Sequence, residues 1–163
     1  MDATTLLKND HDAVRALFRA FAEAGADAVS RRTLYRTIRQ ELQLHSRLEE
    51  QVFYPAVMRV RAEPAREAVR EALEDHHVMD GLLAELDQLE PEDASYSEKM
   101  RALQASVERH IEEEESAMFA QARIHLTDER LERLGRDMAA LKESLGGDGV
   151  GPGARRESTT AGV

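Results

Sequence analysis

Apolar residues return every three or four positions along most of this chain, the period of one buried helix face. Over residues 3 to 23 the stripe is Leu7, Val14, Phe18 and Phe21, with His11 on the same line, and Gly25 marks the stop. A second helix, capped by Ser30, runs to about residue 59 and turns Leu34, Ile38, His45, Glu49 and Val52 inward. Pro55 lies inside it and should kink or shorten it. Pro64 suits the first turn of a third helix that ends near residue 89, with Val69, Leu73, His76, Met79, Leu83 and Leu86 inward. Pro91 breaks the pattern, and Ser95 with Glu98 reads as a capping box for a fourth helix. The inner face of that helix holds Met100, Leu103, Val107, His110, Glu114 and Met118. Thr127 caps a short fifth helix with Leu131, Leu134, Met138 and Leu141 inward. Residues 146–163, GGDGVGPGARRESTTAGV, have little to bury and are expected to be disordered. The pattern predicts an all-α domain over residues 1–145, an up-down-up-down four-helix bundle with a short additional C-terminal helix.

Four histidines lie on these inward stripes. Each of His11, His45, His76 and His110 stands twelve to fifteen residues from a loop at an end of its helix, about 20 Å at the helical rise of 1.5 Å per residue. An antiparallel bundle therefore brings all four to one layer. HSRLEEQVFYPAV begins at His45 and HIEEEESAMFAQA begins 65 residues later at His110, each with a Glu-Glu pair from four residues on. Glu49 and Glu114 share the face of the histidine one turn before them. A single histidine on an apolar face is ordinarily a hydrogen-bonded core residue. Four at one depth, two of them with carboxylate partners, point instead to a metal site, because buried carboxylates are costly without compensation. Two bridging carboxylates suit two metals. Histidine and carboxylate donors fit iron or manganese, with zinc the further option. Met79, Met100 and Met118 need no cofactor and fill space. Glu112 and Glu113 are expected to face solvent, Asp12 to cap or to lie behind a ligand, and His125 to sit on the surface.

Composition narrows the picture. The chain has 163 residues, 42% of them hydrophobic but only 4% aromatic and none Trp, a mix that favours helices. Its 22 Lys and Arg against 32 Asp and Glu give a net charge of -10, without the basic stripe of a nucleic-acid binder. No cysteine is present, which excludes thiolate ligands, thiolate catalysis and disulfides. No apolar run is long enough to span a bilayer, and MDATTLLKNDHDAV lacks the apolar core of a signal peptide. A cytoplasmic location, without membrane or nucleic-acid partners, is the expectation. The Gly-rich tail has no Lys-Ser/Thr after its glycines, so it is not a phosphate loop, and nothing marks a hydrolase triad.

HDAV at His11, HSRLEEQVFYP at His45, DHHVMDGLLAEL around His76 and HIEEEESAMF at His110 together resemble the hemerythrin-like, or HHE cation-binding, domain family over about residues 5 to 124. The resemblance implies a four-helix bundle around two iron ions with an oxo or hydroxo bridge. Members of the family bind dioxygen, nitric oxide or iron, and some break down peroxide. By resemblance, His11, His45 and His110 are terminal ligands, His76 is the third-helix ligand, and Glu49 and Glu114 are the bridging carboxylates. Oxygen-carrying hemerythrins place a second histidine four residues earlier on the third helix, where this chain has Ala72. Tyr54, His77, Glu50 and Glu115 are the candidates to complete or surround the site, Tyr54 being the unusual one because a phenolate donates charge to a ferric ion. The missing histidine tilts the expectation from a reversible carrier toward consumption of peroxide or nitric oxide. A non-catalytic sensor or store, and a metal-free interaction module, stand as alternatives. The electron donor is open, and the bundle can be complete in a monomer or pair as a weak homodimer.

Overall fold

A computed structural model describes residues 1–146. The expected tail lies outside the described residues except for Gly146, the last residue of the final helix. Its elements are α1 (Ala3–Glu23), α2 (Ala28–Leu48), a π-helical turn π1 (Glu49–Phe53), α3 (Tyr54–Met58), α4 (Glu63–Leu86), α5 (Tyr96–Glu113), a second π-helical turn π2 (Glu114–Met118), α6 (Phe119–His125) and α7 (Asp128–Gly146). No strand occurs among the described residues. Four rods form the bundle: α1, α2 continued through π1 into α3, α4, and α5 continued through π2 into α6. The fifth helix, α7, has 19 residues and packs on α1, α2 and π1.

Local chemistry sets most of the ends. Asp2 Oδ1 accepts the Thr5 N–H at 3.1 Å and starts α1. Gly25, at φ +60°, reverses the chain after it. Asp27, not Ser30, caps α2: its Oδ2 accepts the Ser30 N–H at 3.1 Å. Pro64 stands in the first turn of α4, where its missing N–H costs nothing. The expected Ser95–Glu98 capping box does not form, because Ser95 already has helical backbone and makes no side-chain cap. Thr127 Oγ1 accepts the Arg130 N–H at 3.2 Å, as the sequence predicts.

Pro55 does not break the second rod. A wider turn precedes it, in which the Tyr54 N–H reaches the carbonyl of Glu49 five residues back. That extra residue shifts the inward face, so Phe53 is buried where Val52 was expected, and Val52 is half-buried. Leu73 is likewise displaced: it is 43% exposed, and Ala72, one position earlier, faces in. Leu34 is half-buried and Tyr35 takes the interior position. The Tyr35 hydroxyl donates at 2.6 Å to Asp87.

The π turns expose an internal repeat. Adding 65 to the bounds of π1 yields those of π2, and the last residues of α2 and α5 are related in the same way. Two apolar clusters fill the bundle. One holds Leu7, Leu48, Phe53, Met118, Leu131 and Met138. The other holds Val14, Phe18, Ile38, Met79, Leu103 and Val107. Between them lies a layer of buried histidines and carboxylates.

Candidate metal centre

Each rod delivers one imidazole to this layer: α1 His11, α2 His45, α4 His76 and α5 His110, all buried. The first residue of each π turn delivers a carboxylate, Glu49 and Glu114. His11 Nε2 and His45 Nε2 face each other at 3.2 Å. Glu114 Oε2 lies 3.1 Å from His11 Nε2, and Glu49 Oε1 lies 3.0 Å from His45 Nε2. The other oxygen of Glu49 lies 3.0 Å from His76 Nε2 and 3.9 Å from His110 Nε2. Two groups of donors result, His11–His45–Glu49–Glu114 and Glu49–His76–His110, with the atoms of each group within 4.8 Å of one another. Glu49 belongs to both, and Glu114 also stands 4.0 Å from His110 Nε2. These two clusters are positioned to coordinate two metal ions.

The donor chemistry fits cations. Glu49 and Glu114 are 0% and 1% exposed, and none of their four oxygens has an aligned hydrogen-bond donor. Both ring nitrogens of His110 are equally unpartnered. Native proteins rarely leave such groups unmet. Without a cation the layer must share protons. Burial and the neighbouring charge of His45 lower His11 to about 4. Burial opposes a charge on His45 too, yet Glu49 and Asp10 carry it up to about 9. Burial brings His110 down to about 3. Burial and the Glu49 charge push Glu114 well above the usual carboxylate range. Burial also acts on Glu49, but His45 and His76 hold it ionised. A metal pair would replace these proton compromises with positive charge.

A second tier of acids lies behind the imidazoles. Glu115 Oε1 is 2.9 Å from His11 Nδ1, and Glu50 Oε1 is 2.7 Å from His76 Nδ1. Asp10 and Asp75 stand farther off, 3.7 and 3.9 Å from the Nδ1 atoms of His45 and His110. Glu50 and Glu115 thus meet these rings at Nδ1, on the side away from the two donor clusters. The expectation for Asp12 is not met: it is exposed, with Arg15 Nη1 3.9 Å away. His77 is exposed on the outer side of α4, and His125 is exposed as expected. Tyr54 is buried, with its hydroxyl 3.3 Å from His76 Nε2. The π turn supplies the rotation that an ideal helix would deny it. Asp10 and Asp75 were missed in the sequence, although a signal exists: Asp10-His11 and Asp75-His76 are identical doublets 65 residues apart.

A profile of the Hemerythrin HHE cation binding domain family matches residues 2–122. The chain belongs to this family. It is 30% identical over 148 residues to the uncharacterized protein Rv2633c of Mycobacterium tuberculosis, covering 90% of this chain and 89% of that one. It is also 27% identical over 157 residues to a DNA nickase of Nostoc sp., spanning 94% of this chain but 44% of the nickase. The crystal structure of a hemerythrin HHE cation binding domain-containing protein from Mycobacterium kansasii, described as an Rv2633c homolog, superposes with a TM-score of 0.81 at 28% identity. That superposition covers 91% of this chain and 89% of the other. The family membership agrees with the two His/Glu clusters. No described helix is long and apolar enough to cross a membrane.

Proposed function

We propose that this hemerythrin-family bundle holds two iron ions and consumes a small oxidant, hydrogen peroxide foremost. In this reading His11 and His45 would hold one ion and His76 and His110 the other, with Glu49 and Glu114 supplying carboxylate oxygens. The carrying observation is the set of buried, unpartnered oxygens and nitrogens of Glu49, Glu114 and His110 at the meeting point of four rods. Two irons held there would supply the two electrons that peroxide reduction requires. Disproportionation of two peroxides to dioxygen and two waters needs no outside reductant.

The residues of the chain set the conditions. Glu115 and Glu50 hold His11 and His76 by Nδ1 and aim Nε2 inward. Val14, Leu42, Met79, Val107 and Ile111 wall a cavity of about 10 Å³ against the histidines. Such a space admits a molecule near the size of water and excludes bulky substrates. Ala72 leaves the second cluster one imidazole short, and Tyr54 is the side chain that approaches there. If a bound ferric ion drew off its proton, the phenolate would disfavour simple reversible oxygen carriage and favour turnover over storage.

Metal analysis of protein purified under controlled iron supply tests the centre: two irons per chain are expected, with anomalous scattering between the named residues. Peroxide added to the ferric protein should then release dioxygen catalytically. Reversible dioxygen or nitric oxide binding without peroxide turnover would favour a sensor or store instead. Absence of bound metal would remove both readings.

A further inference from the structure

The two halves of the bundle differ where the repeat would make them alike. Around the first half, α7 packs across α1, α2 and π1. Beneath it lie Leu6, Leu7 and Leu48, all buried, with Val52 partly so. The positions 65 residues on are Glu71, Ala72, Glu113 and Ala117. Among the described residues no helix covers the surface there. These four residues instead line a cleft between α4 and the junction of α5 with π2 that runs inward to His110 and Glu114. Asp75 lies on its wall, with Oδ1 held by Arg109 and the buried Oδ2 unpartnered. His110 and Glu114, 3% and 1% exposed, present unpartnered donor atoms at its inner end.

We propose that this cleft is the route by which divalent cations reach the buried centre. The idea rests on the metal-holding reading above and adds the path. Glu71 and Glu113, both exposed, stand at the mouth. Asp75 follows, then Glu114 with His110. The cavity volume is only about 10 Å³, about the space of one water. A hydrated cation must therefore exchange water for carboxylate oxygens as it passes. The acid lining selects for positive charge, since neutral peroxide or dioxygen gains nothing from it. Alanines at positions 72 and 117 keep the passage open where leucine and valine close its counterpart.

The test is the rate at which metal-free protein takes up cobalt(II), followed by the visible bands that appear on coordination. Wild-type protein should take two cobalt ions per chain. Glu71→Gln/Glu113→Gln should reach the same endpoint about tenfold more slowly at low salt, the gap closing at high ionic strength. Ala72→Leu, which installs the side chain of the repeat-related position, should slow uptake at every salt concentration. Glu129→Gln/Glu132→Gln, the same charge change on α7, should load at the wild-type rate. Wild-type rates in both cleft variants, with circular dichroism confirming the fold, would overturn the route while a two-cobalt endpoint leaves the centre standing. No cobalt in the wild-type protein would sink centre and route together.

Discussion

Glu50 Oε1 lies 2.7 Å from Nδ1 of His76, at the far end of the imidazole whose Nε2 faces Glu49 at 3.0 Å. Neighbouring residues of one π turn thus grip the same ring from opposite sides. Glu115 and Glu114 do the same to His11. Replacing the outer member of each pair should loosen ring orientation without removing a donor to the metal. Glu50→Gln and Glu115→Gln should each weaken metal affinity by about 10–100-fold. Chelator competition would measure this, with helix content unchanged. Affinity equal to wild type in both would show that the two acids only decorate the surface.

The Tyr54 hydroxyl is buried beside two carboxylates, and burial followed by the charges of Glu49 and Glu114 raises its pKa well above the ordinary value. In the metal-free protein it therefore keeps its proton. A ferric ion within reach would reverse that balance. Ferric wild-type protein should show a visible phenolate-to-iron band that Tyr54→Phe lacks, at equal iron content. No such band in the wild-type protein would leave Tyr54 as a hydrogen-bonding neighbour of His76.

The four histidines and two carboxylates were legible because depth along a helix follows from counting residues, and the bundle converts equal depth into one layer. What counting could not supply was the π turns. Each adds a residue to one turn, which moves Phe53 into the place expected for Val52 and carries Tyr54 toward His76. Pro55 warned of distortion in the first rod. The second has no proline; there the Ser116 hydroxyl bonds the carbonyl of Glu112 at 2.6 Å, a competition with the helix that a sequence pattern does not reveal. Asp10 and Asp75 escaped for another reason. Each acts on a histidine of a neighbouring rod rather than the one beside it in sequence. Leu73 misled because a leucine beside an alanine looks like the core residue of the pair.

The fit of α7 is set by one close approach. A Cβ on Gly135 would come 2.3 Å from the Met1 carbonyl oxygen and 3.0 Å from the Ala3 nitrogen, both backbone. Gly135→Ala should therefore push α7 from α1 and cost about 1–3 kcal/mol. Gly81, also helical, has nothing within 4 Å of its Cβ position. Gly81→Ala should stabilise by about 0.5–1 kcal/mol. Urea unfolding of the two variants should move in opposite directions. A stable Gly135→Ala protein would mean that α7 is not seated so tightly.

Asp2 starts α1 under the same contact. Its partial burial works against the charge, but hydrogen bonds from Thr4 and Thr5 and the nearby Arg123 hold the pKa at about 2, below the ordinary 3.8. A lowered folded-state pKa stabilises where the carboxylate is ionised in both states, and that stability is lost as pH falls through the folded value. Asp2→Ala should cost about 1 kcal/mol near neutrality, and the difference from wild type should fade between pH 3.8 and about 2. A difference that persists unchanged in acid would show that the cap acts by shape rather than charge.

Glu114 should behave oppositely with and without metal. Burial, then the charge of Glu49, raises its pKa far above the usual 4.5. Its folded form therefore binds a proton that the unfolded chain releases, so metal-free wild-type protein should lose stability as pH rises above 4.5. Glu114→Gln has no proton to lose and should lack that slope, matching wild type in acid and exceeding it at neutral pH when metal-free. Loaded with iron, the order should invert. A neutral amide cannot offset two cations, so the variant should hold fewer than two irons and melt below the loaded wild type. Denaturation of both proteins, with and without chelator and across pH, reads this crossing directly. A variant less stable than wild type in every condition would show that Glu114 serves packing rather than a metal.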